Sequence, residues 1–427
     1  MNDIFSFAFL FVLSVYLLNT DILHVTQSGF RPKHSCHTAL IRLIDAWIKD
    51  MDSGNHIGAV FLDLQKAFDM VDHTILLYKL KLYNFSERSL KFFNSYLSNR
   101  IQCVKSNAYI SDCMTIKSGV PQCSILGPSL LLLYINDISI VSNNIKIDLF
   151  ADDSTIHASD KNISVIQSSL QENINDIMNW CKLNNMSLHP LKTKCMLITS
   201  KYKRNNRKQV DIFIDSAHIE NVNVHKVLGV YIDNTLSWDE HIKSVCKNIN
   251  SKIALFKRII LYLNDEMKSM FYNAYIVPCF DYCCSVWGKG VHSKRQISKI
   301  TKLQKRAARI ILRCNLKTKS SEMFKQLQWM PFDVRCKFHI AVMIFKCINN
   351  MLPAYMSNII SFSHNEHYEL RSKERKDLII PKHKTKYMKD SFEYNGSQIW
   401  NSLPIYIREK SSLKLFKRNL QILLLNN

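Results

Sequence analysis

The chain has 427 residues, 47% of them apolar and 11% aromatic, which excludes a disordered tail and predicts two or three domains. Lys and Arg number 57 against 35 Asp and Glu, and the resulting charge of +22 favours a polyanionic partner, either nucleic acid or an acidic membrane face. The 13 cysteines show neither even spacing nor a CxxC pair, which argues against a disulfide scaffold or zinc site and predicts reduced thiols in an intracellular protein.

The first predicted element is one apolar stretch, Ile4–Leu18. It is shorter than the roughly 20 residues that span a membrane, and Asp3 stands where a signal peptide carries basic residues. We expect a buried helix or an unnatural start rather than an anchor, although hydropathy alone could flag residues 4–18 as a membrane segment.

Strand and helix patterns then alternate to about residue 235. "HIGAVFLDLQKAF" predicts a buried strand, Gly58–Leu62, that ends at Asp63. "HTILLYKLKLYNF", "SLKFFNSYLSNR" and residues 163–183 have helical periodicity, whereas "CMLITS" and "VLGVYID" look like strands. "IKIDLFADDSTIHAS" predicts a hairpin whose tip holds Ala151, Asp152 and Asp153.

Glycine is scarce, at nine in 427 residues, so each glycine predicts a backbone requirement. Four of them fall inside the short segments that carry the functional interpretation below: Gly29, Gly119, Gly127 and Gly229.

From Ser237 onward the pattern predicts long amphipathic helices. Between His241 and Ser320 there are 17 Lys or Arg and three acids, so +14 of the net charge lies there. The segment "KLQKRAARIILR" predicts a helix with one basic, phosphate-binding face, formed by Lys302, Lys305, Arg306, Arg309 and Arg313. We place the main domain boundary near 235 and a weaker one near 317–321, and we expect residues 364–390 to be a loop or a loosely packed segment.

Three carboxylates are candidates for a catalytic metal site. If the strand that ends at Asp63 lies beside the hairpin that carries Asp152 and Asp153, all three converge at one edge of a sheet. Magnesium prefers oxygen ligands, and two such ions can activate a 3′-hydroxyl and stabilise a leaving pyrophosphate. Cations would also relieve the repulsion within the Asp pair.

Nine segments of the chain together form a recognisable set of motifs. They are "QSGFRPKHSCHTAL" (27–40), "AVFLDLQKAFDMVDH" (59–73), "SGVPQCSILGPSLLLLYINDI" (118–138), "FADD" (150–153), "LKTK" (191–194), "HKVLGVYID" (225–233), "LQKRAARIIL" (303–312), "LQWMPFDVR" (327–335) and "IWNSLP" (399–404). Through these segments the chain resembles, over nearly its whole length, the reverse transcriptase of non-LTR retrotransposons, most closely the jockey-like elements of animals. The resemblance implies an α+β polymerase right-hand fold, with an antiparallel-sheet palm backed by helices, partial fingers, an α-helical thumb and a helical carboxy-terminal region.

The resemblance also implies roles for individual residues. Asp63, Asp152 and Asp153 would bind two Mg²⁺ or Mn²⁺ ions and catalyse transfer of dNTPs to a primer. The bulky ring of Phe68 would exclude a 2′-hydroxyl, although core packing is the alternative for this residue. The nucleotide-binding residues would be Arg31, Phe68, Gln122 and Lys192. The template and primer contacts would be Ser118, Gly119, Pro121, Leu228, Gly229, Lys302, Lys305, Arg306 and Arg309.

The resemblance divides the chain into four regions. They are an apolar leader or fingers remnant (1–26), a fingers remnant and palm (27–235), a basic helical thumb (236–316) and a helical carboxy-terminal region of unknown role (317–427). The motif "QSGFR" is reached by residue 27, so we expect an amino-terminally truncated element. Two positions depart from the family pattern: Cys123 replaces the glycine of SGVPQGS, and His189 replaces an asparagine.

Three functions remain open from the sequence. The first is an RNA-directed DNA polymerase with an RNA template, a DNA primer and dNTPs as partners, impaired by truncation and Cys123. The second is an inactive remnant that only binds nucleic acid. The third, a membrane-associated helical protein, is remote. The first two predict an intracellular location, nuclear or ribonucleoprotein-associated.

Overall fold

The computed structural model describes residues 12–17, 20–122, 124–141, 145–201, 209–288, 294–362 and 376–426. Cys123 and much of the predicted apolar segment lie outside the described residues, but residues 12–17 are helical. No helix in these described ranges is long and apolar enough to cross a membrane.

Short strands and helices alternate as far as residue 233, and the described residues beyond it form helices and their connections. The first half contains α1 (Cys36–Asp52), β1 (His56–Leu62), α2 (His73–Leu82), α3 (Glu87–Leu97), β2 (Ile101–Gln102), β3 (Lys105–Ser106), β4 (Tyr109–Ile110), β5 (Met114–Thr115), α4 (Gly127–Ile135), β6 (Lys146–Phe150), β7 (Asp153–Asp160), α5 (Ile163–Leu183), β8 (Lys194–Ile198) and β9 (Phe213–Ile214). The remainder contains β10 (Ala217–His218), β11 (Glu220–Asn221), β12 (Val224–Val227), β13 (Val230–Asp233), α6 (Asp239–Ile259), α7 (Asp265–Phe271), α8 (Val277–Asp281), α9 (Cys284–Trp287), α10 (Lys294–Leu312), α11 (Ser320–Leu327), α12 (Phe332–Ile348), α13 (Ala354–Ser357), α14 (Phe392–Ser402), α15 (Ile405–Arg408) and α16 (Leu413–Asn426).

The chain forms two compact units, and the first contains a five-stranded sheet. This unit comprises Met1–Pro32, Ile57–Leu197 and Asn206–Val222. The strand order is β11-β8-β1-β7-β6, so β1 lies directly beside the β6–β7 hairpin. The α+β class is confirmed. The β6–β7 pair is antiparallel as predicted, whereas β11 and β8, at the other side of the sheet, pair in parallel.

Apolar side chains on both faces hold this sheet in place. Helix α4 is apolar around its whole circumference and is buried from Leu130 to Ile135, as its composition requires. Helix α5 covers β1 so closely that a Cβ on Gly58 would lie 2.4 Å from the Ile166 side chain. The sheet is therefore a rigid support for the residues at its edge.

The second unit comprises Lys33–His56, Ile198–Asn205 and Asn223–Asn427, so α1 packs with elements near the carboxy terminus. The buried carboxylate of Asp45 accepts the backbone N–H groups of Phe392 and Glu393, at 2.8 and 2.9 Å, where α14 begins. Burial raises the pKa of Asp45 to about 7, against the opposing effect of these two N–H groups. Seven residues further on, Asp52 accepts the backbone N–H groups of Lys384 and Thr385.

Two sequence expectations hold only in part. Within the predicted segment 364–390, residues 364–375 lie outside the described residues, and residues 376–390 have the little regular structure expected of a loop. This part is not loosely packed, however, because Leu378, Tyr387 and Met388 are buried. The segment "VLGVYID" is not one strand, since Leu228 and Gly229 form the turn between β12 and β13.

The prediction of reduced thiols fails at one pair of cysteines. Cys103 and Cys113 form a disulfide, with Cα atoms 4.5 Å apart, within two nested antiparallel pairs, β2–β5 and β3–β4. Other cysteines among the described residues are free thiols, as predicted.

Candidate active site

Asp63 directly follows the buried strand β1, as the sequence predicts. The turn before β8 holds its main chain, because His189 N–H donates to Asp63 O at 2.8 Å and Asp63 N–H donates to Thr193 Oγ1 at 3.3 Å. Lys192 Nζ lies 3.8 Å from Asp63 Oδ2, and its side chain is 65% exposed. This surface pair contributes little to stability, so Lys192 keeps the freedom to contact a ligand.

Asp152 and Asp153 lie at the end of the β6–β7 hairpin, next to Asp63. Phe150 pairs with Asp153, which leaves Ala151 and Asp152 as the tip. Ala151 has a φ of 56°, a left-handed conformation that costs free energy for a residue with a Cβ. The pKa of Asp153 is raised, first because surrounding protein removes hydration and then by the negative charges of Asp152 and Asp63.

The donor chemistry of these three carboxylates fits a hard divalent cation. After burial, the charges of Asp152 and Asp63 also raise the pKa of Asp153, and a bound cation would relieve this repulsion. Across the described ranges, however, no group of three or more His, Cys, Asp or Glu side chains is already arranged closely enough to hold a metal ion.

The residues that hold the hairpin tip were not assigned a role from the sequence. Gln27 is fully buried, and its Oε1 accepts N–H groups from Gly29 at 2.8 Å and Ala151 at 2.9 Å. Ser28 N–H donates to Leu149 O at 2.8 Å, so the segment lies along β6. The rarity of glycine was the available signal, because a Cβ on Gly29 would lie only 2.3 Å from Ala151 N.

The "SGVPQ" segment packs against the chain that follows Asp63. Gly119 has a φ of +91°, and a Cβ there would lie 2.9 Å from Asp69 O, so glycine is required on both counts. Val120 N–H donates to Phe68 O at 2.8 Å, and Ser118 Oγ donates to Asp69 O at 3.2 Å. The ring of Phe68 is half-buried against the core, which supports the interpretation that it packs there. Its contact with the sugar of a nucleotide stays a prediction.

The remaining predicted residues of the first unit have identifiable partners. Gln122 is exposed, and its Nε2 donates to Asp69 Oδ1 at 2.9 Å. Pro121 O accepts Ser124 Oγ at 2.6 Å in the turn that leads into α4. Arg31 Nη1 donates to two main-chain carbonyls, His24 O and Gln27 O, and so stabilises the segment that holds the hairpin tip.

The predicted residues of the second unit lie on two elements. Leu228 and Gly229 have φ values of 45° and 82° and form the turn between β12 and β13. On α10, Lys302 and Arg306 are exposed, whereas Lys305 and Arg309 are half-buried. Arg313, the fifth residue of the predicted face, is also exposed but follows the end of α10 at Leu312, so fewer basic side chains are exposed on the helix itself than the sequence suggested.

The chain is similar in sequence to proteins encoded by mobile elements. The chain is 28% identical over 295 residues to the RNA-directed DNA polymerase from mobile element jockey of Drosophila melanogaster, a match covering 67% of this chain and 31% of that protein. It is 26% identical over 312 residues to the probable RNA-directed DNA polymerase from transposon X-element of the same species, covering 71% and 33%. The chain therefore spans about a third of the length of these curated relatives.

A similar solved structure is that of apo telomerase from Candida tropicalis, with a TM-score of 0.39, 11% identity, and coverage of 78% of this chain and 54% of that one. Residues 12–236 match the family described as "Reverse transcriptase (RNA-dependent DNA polymerase)", which is more than half of the chain. The resemblance found in the sequence is confirmed, and the chain belongs to the reverse transcriptase family.

Proposed function

We propose that this chain is the RNA-directed DNA polymerase region of a non-LTR retrotransposon, adding dNTPs to a DNA primer on an RNA template. One observation carries the proposal: Asp63 and the Asp152–Asp153 pair come from neighbouring strands and lie close enough that the charges of Asp63 and Asp152 add to burial in raising the pKa of Asp153. Mg²⁺ or Mn²⁺, as two ions, would supply activation of the 3′-hydroxyl and stabilisation of the pyrophosphate. Asp63, Asp152 and Asp153 would hold them.

Other side chains would bind and orient the nucleotide. Phe68 would lie against the sugar and exclude a 2′-hydroxyl. Arg31 and Lys192 would contact phosphate oxygens as cations. The amide of Gln122, oriented by Asp69, would form hydrogen bonds beside the incoming nucleotide.

The nucleic acid would be held mainly through its backbone. Ser118, Gly119 and Pro121 would contact the template, and the turn at Leu228–Gly229 would contact the primer. The basic residues of α10 (Lys302, Lys305, Arg306 and Arg309) would hold the heteroduplex by charge rather than by base edges. We propose a palm (27–235), thumb (236–316) and carboxy-terminal region (317–427) on this basis, and a nuclear or ribonucleoprotein-associated location.

Primer extension tests the proposal directly. Purified protein supplied with poly(rA)–oligo(dT), deoxythymidine triphosphate and Mg²⁺ should extend the primer, and omission of Mg²⁺ and Mn²⁺ should stop extension. Tight binding of the heteroduplex without extension would favour the second candidate, an inactive remnant that only binds nucleic acid.

Cys123→Gly should increase the rate of extension. The related enzymes are expected to have glycine here, and a side chain at this position would obstruct close approach of the nucleic-acid backbone. Rates of the variant and the parent are compared at saturating primer–template. An unchanged rate would remove Cys123 as the cause of any impairment.

Replacing Lys302 and Arg306 together by glutamine should weaken heteroduplex binding and flatten its salt dependence. Both side chains are exposed on α10, and the slope of log K against log[salt] decreases by about 1 for each phosphate that the protein no longer neutralises. Binding is measured by fluorescence anisotropy from low to moderate salt. The control replaces Lys161 and Lys182, exposed residues near the two ends of α5, and should leave the slope unchanged. Equal slopes in the two variants would refute a phosphate-binding role for α10.

A further inference from the structure

Tyr282 contacts the turn between β12 and β13 in two ways. Its Oη donates to Leu228 O at 2.7 Å. Atoms of its ring and hydroxyl lie 3.1–3.4 Å from the position that a Cβ on Gly229 would occupy, so Tyr282 packs closely against this glycine. Tyr282 lies in the connection between α8 and α9, beyond residues 12–236 that match the family.

The turn needs an external support. Val227 pairs with Val230, which leaves only Leu228 and Gly229 in the loop, both with positive φ. Two-residue hairpins of this kind favour Asn or Gly at their first position, because a left-handed conformation is unfavourable for a branched apolar residue. The bond from Tyr282 to Leu228 O therefore acts where the hairpin has the least favourable local conformation.

Tyr282 is itself held firmly on both sides. The carboxylate of the preceding Asp281 pairs with Arg335 Nε at 2.6 Å and with His339 Nε2 at 3.2 Å. Trp287 Nε1–H donates to Tyr282 O at 2.9 Å, and Tyr282 N–H donates to Pro278 O at 3.1 Å. These contacts restrict the main-chain conformation at Tyr282, and so they also restrict the position of its phenol ring.

Tyr282 also lines a cavity of about 350 Å³. Lys226, Tyr231 and Asn248 also line this cavity, and Lys226 Nζ lies 5.7 Å from the centre of the Tyr231 ring. A lysine, two aromatic rings and an amide can accommodate the phosphate, sugar and base of one nucleotide. Movement of the turn would change the shape of this cavity, because Gly229 is part of its wall.

We propose that Tyr282 is a positioning residue for the primer strand, which it supports by fixing the turn at Leu228–Gly229. The inference rests on the proposed primer contact of that turn. Tyr282, which lies outside residues 12–236, would thus help to place the primer 3′ end. Its Oη would not contact any reacting atom.

The test is Tyr282→Phe, which removes only the hydroxyl. Hydrogen exchange of the amides in residues 224–233, followed by mass spectrometry, should become faster. The Kd for an RNA–DNA heteroduplex with a recessed 3′ end should rise roughly three- to tenfold, the effect of losing one neutral hydrogen bond. The Kd for the same RNA as a single strand should not change. Tyr262→Phe, which alters a side chain that is 86% exposed, is the control.

The outcomes distinguish the support of the turn by Tyr282 from the binding of the primer by that turn. Faster exchange together with weaker binding of the recessed end alone supports the proposal. Unchanged exchange, or equal weakening for both nucleic acids, overturns it. Faster exchange with unchanged binding of both also overturns it, and shows that the turn is not a primer contact. Because every readout is binding or exchange, absence of primer extension by the parent chain would defeat the proposed polymerase activity without affecting this test.

Discussion

Replacing Asp152 by asparagine should severely slow primer extension while leaving the fold intact. Asparagine has nearly the same shape as aspartate but cannot supply the negative charge that would hold a divalent ion between substrate and protein. A loss of several kcal/mol of transition-state stabilisation corresponds to a fall in rate on the order of 10³-fold. Single-turnover extension at saturating primer–template measures this loss.

The same substitution should not lower the thermal stability. In the parent, the charge of Asp152 opposes ionisation of Asp153, so its removal relieves repulsion, and the melting temperature should stay equal or rise. Asp215→Asn is the control, because Asp215 is an exposed turn residue with a φ of 51°, a conformation that asparagine tolerates well. Extension by Asp152→Asn at the rate of this control would exclude the pair from catalysis.

A pH dependence follows from the same pair. Asp153 has a raised pKa in the folded state, so between about pH 4, the ordinary carboxyl range, and that raised value the folded chain binds more protons than the unfolded chain. Its contribution to stability therefore decreases as pH rises through this window. In Asp152→Asn the window should narrow, because one cause of the raised pKa is gone; denaturant unfolding at several pH values measures the difference.

Gly29→Ala should disrupt the active-site hairpin by steric contact. The new Cβ would lie 2.3 Å from Ala151 N and 3.0 Å from Ala151 Cα, and these main-chain atoms cannot rotate away. Either the segment that contains Gln27 or the tip that carries Asp152 must move. We expect a loss of stability of about 1–3 kcal/mol, the usual range for overpacking, and a fall in extension rate of on the order of 10²-fold from misplacement of the carboxylate.

Gly54→Ala provides the comparison for this prediction. Gly54 has a φ of +88°, and no heavy atom lies within 4 Å of the position that a Cβ would occupy, so alanine there adds backbone strain without a clash. It should lower the melting temperature but leave the extension rate per folded molecule nearly unchanged. If Gly29→Ala behaved in the same way, the close packing at Ala151 would not matter for activity.

Local pattern predicted the parts of the site that depend on local structure. The strand ending at Asp63 follows from a short continuous apolar run, and the hairpin that carries Asp152 follows from alternation of apolar residues over a few positions. The support from Gln27 could not be predicted, because it joins residues 124 positions apart and leaves no periodic signal. For the same reason the parallel pairing of β11 with β8 and the burial of Tyr387 were missed.

The capping of α14 by Asp45 bears on how this family region can be produced in isolation. A fragment ending at residue 236 would contain every residue that matches the family, including all of α1. It would also expose the apolar face of α1 and remove both N–H groups that satisfy Asp45. The end of the family match at residue 236 is therefore not the end of an independently folding region, and expression trials should retain the chain to residue 426.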